Sequence, residues 1–261
     1  TYEEAEISKP ITHGPIGSGL PNDIRITTDE VANIRQITQN VYGFDPLGYT
    51  NSNVSVQEFT TARLDFDLTD AHRLTLNYKE VDSSKLNGAN NSSRTMTFSS
   101  AEYQKGEITE TTGMLLVSNW SDDFITEVSF STKEQITSQM SPVGQALPFF
   151  QINDCGSQGI RCELGPDVSR HANDLATETT FAKIKGTYYM GNHKLTFGYE
   201  NKLWDIYNVY LEAQDGAYEF EGIANYQAQV ASSFEYSNSR DLTQLGAAAA
   251  FEYYLDSFYI Q

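Results

Sequence analysis

The residues of this sequence with chemical potential are two cysteines, a few histidines and a set of aromatic side chains. Cys155 and Cys162 bracket the run Cys-Gly-Ser-Gln-Gly-Ile-Arg-Cys. Two thiolates cannot fill a tetrahedral zinc shell without histidine, and the nearest one is His171. A disulfide closing a small glycine-containing loop is the expected use, which implies an oxidising compartment. So short a loop is stiffened locally more than the chain is stabilised globally. His13, His72, His171 and His193 are scattered, and His72 and His193 fall at turns. They suggest no metal site and no cofactor. Ser, His and Asp all occur, but without the Gly-x-Ser-x-Gly elbow. A Walker loop, a dinucleotide fingerprint and His-Glu-x-x-His are also missing. The expectation is a protein that is not an enzyme. Exposed aromatics in long connections can stack on a ligand, which singles out Phe149, Phe150, Tyr207 and Tyr210 as ligand-contact candidates.

Charge narrows the partners. Lys and Arg total 17 against 35 for Asp and Glu, a formal net charge of −18. Nucleic acid is excluded, because phosphate binding needs a basic face. Aromatic residues make up 12% of the chain, which argues against disorder. The 16 Tyr and 14 Phe against 2 Trp suit a surface that is part apolar and part wet, and equally suit ordinary strands. No apolar run reaches the ~18 residues of a membrane helix. A membrane barrel stays open, since its strands need only about 9–11 residues and alternate apolar with polar. No signal peptide is visible. The chain starts at Thr1 and ends in the strand-like Tyr259-Ile260-Gln261, so it reads as a segment of a longer protein.

Two regions differ in period. Residues 1–53 open irregularly, with Pro10, Gly14, Pro15, Gly17, Gly19 and Pro21. Thr27 and Glu30 then have capping-box spacing. Val31, Ile34, Ile37 and Val41 form one stripe and Gly43 a stop, predicting a helix near 28–42. From 54 to 261 the period is two. Ala62, Leu64, Phe66 and Leu68 lead through a turn at 69–72 into Leu74, Leu76 and Tyr78. The same hairpin pattern recurs around 121–123 and around 190–192. The stretches between hairpins, about 80–93, 138–176 and 211–247, are longer. Short turns at one end and long loops at the other is the layout of a membrane barrel.

The alternation predicts two faces. Leu64, Phe66, Leu74, Leu76, Tyr78, Phe124, Val128, Phe130, Ile184, Tyr188, Leu195, Phe197 and Tyr199 would meet lipid. Arg63, Asp65, Asp67, Arg73, Asn77, Lys79, Glu127, Lys183, Lys185, Lys194 and Glu200 would meet a wet lumen. Asp65, Asp67, Glu127, Glu200 and Glu178 are the expected charge compensators there. So many long inward charges would crowd a closed barrel of about eight strands. The expected fold is therefore all-β: antiparallel strands forming part of a large transmembrane barrel, with one short helix in an extracellular loop.

Several stretches carry a resemblance. Ile11-Thr12-His13-Gly14-Pro15-Ile16-Gly17-Ser18-Gly19, Val41-Tyr42-Gly43-Phe44-Asp45-Pro46, the hairpin Ala62 to Leu74, Gly191-Asn192-His193-Lys194-Leu195-Thr196-Phe197-Gly198-Tyr199-Glu200 and Ser257-Phe258-Tyr259-Ile260-Gln261 are similar in order and spacing to motifs of the Oar-like branch of TonB-dependent outer-membrane receptors. Phe66 stands where Trp is usual. The resemblance implies a plugged 22-stranded barrel in the bacterial outer membrane and energy-coupled uptake of an unidentified ligand. The implied partners are outer-membrane lipid, the receptor's plug domain and TonB, the last two acting through parts that this chain does not contain. The alternatives are a soluble or surface β-rich binding or adhesion domain, and a passive porin.

Overall fold

The computed structural model describes residues 1–88, 92–157, 159–237 and 248–260, the last stretch as backbone only. In chain order the elements are β1 (Tyr2–Pro10), β2 (His13–Ile16), β3 (Asn22–Thr27), α1 (Thr28–Ile37), β4 (Ser52–Thr69), β5 (His72–Asn87), β6 (Thr95–Thr97), β7 (Tyr103–Ser121) and β8 (Phe124–Met140). There follow β9 (Phe149–Asn153), β10 (Arg161–Leu164), β11 (Ala172–Met190), β12 (His193–Leu211), β13 (Ala217–Glu221), α2 (Gly222–Gln227), β14 (Ser233–Glu235) and β15 (Ala248–Ile260). An eight-stranded antiparallel sheet runs in the order β1-β4-β5-β7-β8-β11-β12-β15. A five-stranded sheet runs β14-β13-β9-β10-β6, and β2 pairs with β3.

The hairpin turns fall where the sequence placed them, between Thr69 and His72, Ser121 and Phe124, and Met190 and His193. The strands reach further than the apolar alternation did. β5 continues to Asn87 and β11 begins at Ala172, inside stretches expected as loop. Backbone pairing with neighbours carries these polar ends. The helix begins on its capping box: the Thr27 hydroxyl accepts from Glu30 N and the Glu30 carboxylate accepts from Thr27 N. Residues Thr38–Tyr42 continue it as a π-helical turn, and Gly43 ends it at φ 76, a left-handed value that glycine reaches without a Cβ clash.

The opening region needs a correction. Expected as irregular, it contains β1, which pairs with β4 from Tyr2↔Thr60 to Pro10↔Ser52. Its glutamates Glu3, Glu4 and Glu6 hide any apolar alternation, and the strand is defined by its partner. The long connections hold a second structure that the loop reading did not contain. The helix region, β2, β3 and the five-stranded sheet gather at the end of the large sheet opposite the short turns. They form a head with a hydrophobic core of Ile24, Ile26, Val31, Ile34, Met96, Phe98, Phe150, Ile152, Leu164, Phe220 and Tyr226. The large sheet contributes nothing to this core. Ser157 N donates to Arg25 O at 3.0 Å, docking the cysteine loop on β3. Gly156 allows that approach, since a Cβ there would lie 2.9 Å from Arg25 O and from Ile26 Cβ.

Head and sheet should therefore respond separately. Phe150→Ala is expected to lower head stability by about 3–5 kcal/mol. Hydrogen exchange should accelerate in β9 and β13 while protection in β11 and β12 is unchanged. Equal acceleration in both would show a single cooperative unit.

Candidate functional site

Residues directly opposite in an antiparallel pair share a face. The registers therefore sort the large sheet into two surfaces. One row runs Phe66–Leu74–Leu116–Val128–Ile184–Tyr199 and the next Leu64–Leu76–Met114–Phe130–Ala182. Phe124, Tyr188, Leu195 and Phe197 continue the same face toward the short turns. All the residues expected on the apolar side lie here, and they are uncovered: Leu64 is 58% exposed, Phe130 43% and Phe197 41%. An apolar furrow of about 350 Å³ opens beside Leu64, Leu76, Met114 and Phe130.

The other face holds the cations. Lys9, Arg63, Arg73, Lys79, Lys85, Lys105, Lys133, Lys183, Lys185, Lys194 and Lys202 all point to it by register. Among the described residues, the apolar face of this sheet carries no lysine or arginine. The expected compensators Asp65, Asp67, Glu127 and Glu200 do sit with the cations. Lys185 meets Glu127 at 2.5 Å and Lys183 meets Glu200 at 3.6 Å, while Arg63 lies 2.9 Å and Arg73 3.7 Å from Asp65. Arg73 also reaches Asp67 at 3.8 Å.

Glu178 is a correction. It lies opposite Glu134 and Asp205, on the apolar face, so it compensates no cation. The register makes it part of a ladder: Glu80, Glu110, Glu134, Glu178 and Asp205 stand opposite one another across β5, β7, β8, β11 and β12. Directly opposed like charges destabilise a sheet. The ladder borders the apolar belt on its head side, and the Tyr78 hydroxyl donates to Glu80 at 2.6 Å across that border.

The four aromatic candidates are not brought together. Phe150 is 3% exposed and is no ligand contact. It is the hub of the head core, with its ring 4.7 Å from Tyr42, 5.7 Å from Tyr218 and 5.9 Å from both Phe44 and Tyr226. Hydrophobic burial claims such a ring before a ligand can. Phe149, one residue away and facing outward, lines a cleft of about 180 Å³ with Gln151, Tyr218 and Glu219. Tyr207 and Tyr210 are exposed on opposite faces of β12. Cys155 and Cys162 are joined by a disulfide whose sulfurs lie inside the head core.

Buried polar groups knit the loops. Tyr226 and Thr38 share a hydroxyl hydrogen bond of 2.8 Å, and the Tyr42 hydroxyl donates to Tyr226 O at 2.6 Å. Burial pushes Tyr42 up to about 12. The Glu102 carboxylate accepts from Thr50 at 2.7 Å, and burial raises its pKa. His171 is buried with Nδ1 accepting from Asp215 N at 3.2 Å and Nε2 placed 3.3 Å from Pro166 O, the neutral tautomer. Burial lowers its pKa, against the pull of Asp215 and Asp167. Arg35 forms a bidentate pair with Asp45 at the head surface and holds that carboxyl below its ordinary value. Among the described residues no group of His, Cys, Asp and Glu could hold a metal ion. Asn91 of the sequon-like Asn91-Ser92-Ser93 lies outside the described residues.

Sequence alternation had separated the two faces but had not found the ladder or the head core. Both depend on pairing between residues some 25 or more apart. Comparison with protein-family models, with curated proteins and with solved structures finds no match to this chain.

A pKa lowered in the folded state means stability that is complete above the unfolded value of 6.5 and lost as pH falls below it. Acidification from pH 8 to 5.5 is expected to lower the protection factor of the Asp215 amide, the exchange rate being corrected for its intrinsic fall with pH. His171→Gln should remove that dependence. An unchanged pH profile in the variant would show that another group carries it.

Proposed function

We propose that this chain is part of the wall of an outer-membrane β-barrel belonging to a TonB-dependent receptor, which takes up a ligand by energy coupling. One observation carries the reading: a sheet whose apolar and cationic residues are sorted to opposite faces, with neither face buried by the described residues. A soluble sheet must cover an apolar face with another layer. Hydrocarbon would serve here on one side and a wet lumen on the other. The dimensions agree. On β11 the stretch below Glu178 runs from Thr180 to Met190, roughly 34 Å along the strand at ~3.4 Å per residue. At a tilt of about 40° it stands roughly 26 Å tall, close to the ~25 Å apolar band of such barrels. The carboxylate ladder would then lie at the headgroup boundary. β11 and β12 have 19 residues each, more than a bilayer needs, so they would carry the head clear of the membrane surface. No helix of the described residues is long and apolar enough to cross a membrane, which bears only on helices.

In this reading the partners are outer-membrane lipid, the receptor's plug domain, TonB and an unidentified ligand at the head and upper lumen. The second reading, a surface β-rich binding or adhesion module, is favoured by one observation: the head has its own core and its own disulfide. Solubility separates the two. The protein should stay with membranes through alkaline washing and need detergent for release. Phe130→Lys and Ile184→Lys should each cost about 2–4 kcal/mol of membrane insertion, while Ser129→Lys and Ser131→Lys on the other face should insert normally. Release as a monodisperse protein in detergent-free buffer would sink the barrel reading.

A further inference from the structure

The cationic face has a corner, next to the head, that the ion pairs lower on the sheet do not share. Lys85 and Lys105 stand directly opposite each other on β5 and β7. Ser55 flanks Lys85 and Gln139 flanks Lys105 in the same row. Arg170, from the loop before β11, donates to the Gln139 side-chain oxygen and lies 4.7 Å over the Tyr103 ring. Asp167 takes one side of that guanidinium at 3.3 Å. Lys183 and Lys185 have carboxylate partners. Among the described residues neither Lys85 nor Lys105 lies within ion-pair distance of one. Both border a cleft of about 200 Å³ on this face, together with Ser55, Gln57, Ser83 and one carboxylate residue, Glu107, which forms no ion pair with either lysine.

Two ammonium groups opposite each other repel, and in a chain of net charge −18 carboxylates to pair them are plentiful. The carboxylates of this sheet are instead concentrated on the other face. A multivalent anion seated between the two ammonium groups would turn their repulsion into attraction. Gln139, opposite Lys105 on the next strand, holds the Arg170 guanidinium beside this cleft without either lining it, so that Arg170 would reach an anion from beside the neighbouring strand. Arg and Lys together suit phosphate and carboxylate oxygens.

We propose that Lys85, Lys105 and Arg170 form a binding site for a compact multivalent anion bearing phosphate or carboxylate groups. Whether the anion binds does not depend on the barrel reading. That it is captured on the inner wall, near the outer mouth, rests on it.

The test is calorimetric titration of the full chain with inorganic tripolyphosphate and, separately, with citrate, in detergent micelles and in detergent-free buffer. At least one anion should bind, with an affinity that falls as salt rises, and the tighter of the two assigns the oxyanion class. Lys85→Gln/Lys105→Gln should weaken it by about tenfold, while Lys85→Arg/Lys105→Arg should keep it within about twofold. Lys194→Gln/Lys202→Gln removes the same charge elsewhere on that face and should also stay within about twofold. The site falls if neither anion binds, if the Gln pair binds as the parent does, or if the distant control loses as much. If the chain needs detergent and the Gln pair still binds, the site fails and the barrel reading stands. If the chain is water-soluble and the Gln pair loses binding, the reverse holds.

Discussion

The pairing of the large sheet is the constraint on which everything else depends. In an antiparallel ladder the side-chain period is two, so a fixed register fixes the face of every residue at once. Eight strands in one sheet thus turn a chain of mixed composition into a plate with two different surfaces. A slip of one residue between β8 and β11 would carry Val128 and Phe130 to the side of Lys183 and Lys185. It would also break the Lys185–Glu127 pair. Surface ion pairs of this kind are worth at most about 1 kcal/mol each, so they do not hold the sheet together. Their effect is on register: a slipped alignment loses the pair that spans it and turns the apolar side chains of one strand away from those of the next.

The head solves a different problem. Four long connections leave one end of the sheet, and each alone lacks the apolar surface to order itself. Pooled, they enclose Phe150, Phe220, Tyr226 and the helix stripe. The aromatic rings contribute most of the buried area. Each polar tip is answered, Tyr42 to Tyr226 O and Tyr226 to Thr38, so burial leaves no hydroxyl of this group unpaired. The disulfide closes a loop whose ends are 7 residues apart. On a chain-entropy account that is worth about 2–3 kcal/mol, enough to keep Gly156 and Ser157 seated on β3 without fixing the rest of the head.

What was legible in the sequence is what short-range physics decides. Hairpins showed because alternation and turn residues lie within one stretch. The helix showed because Thr27, Glu30 and Gly43 act on their own neighbourhood. β1 did not show, since Glu3, Glu4 and Glu6 give no apolar period and its strand conformation comes from β4. The strands of the head are three to six residues long, too short to stand out from loop by their period. Phe150 looked like a loop aromatic free for a ligand, because nothing nearby in the sequence reveals Phe220 or Tyr226 beside it. Glu178 looked like a partner for inward lysines, although the alternation of Ile184 and Tyr188 carried back along β11 puts it on their face, where the register sets it opposite Glu134.

The net charge of −18 describes the surface of this protein poorly, because the sheet divides it. Lysine and arginine collect on one face, and Glu80, Glu110, Glu134, Glu178 and Asp205 form a line on the other. Such a line costs electrostatic free energy that a random placement would avoid. Five strands contribute to it and each could have turned its carboxylate to the cations by a shift of one position. None does, so the cations of the sheet share one face and this line of carboxylates the other. In the barrel reading proposed above, the sorting has a physical reason: a long cation among the apolar residues nearer the short turns would be buried in hydrocarbon away from the carboxylate line, at a cost that a wet lumen does not impose.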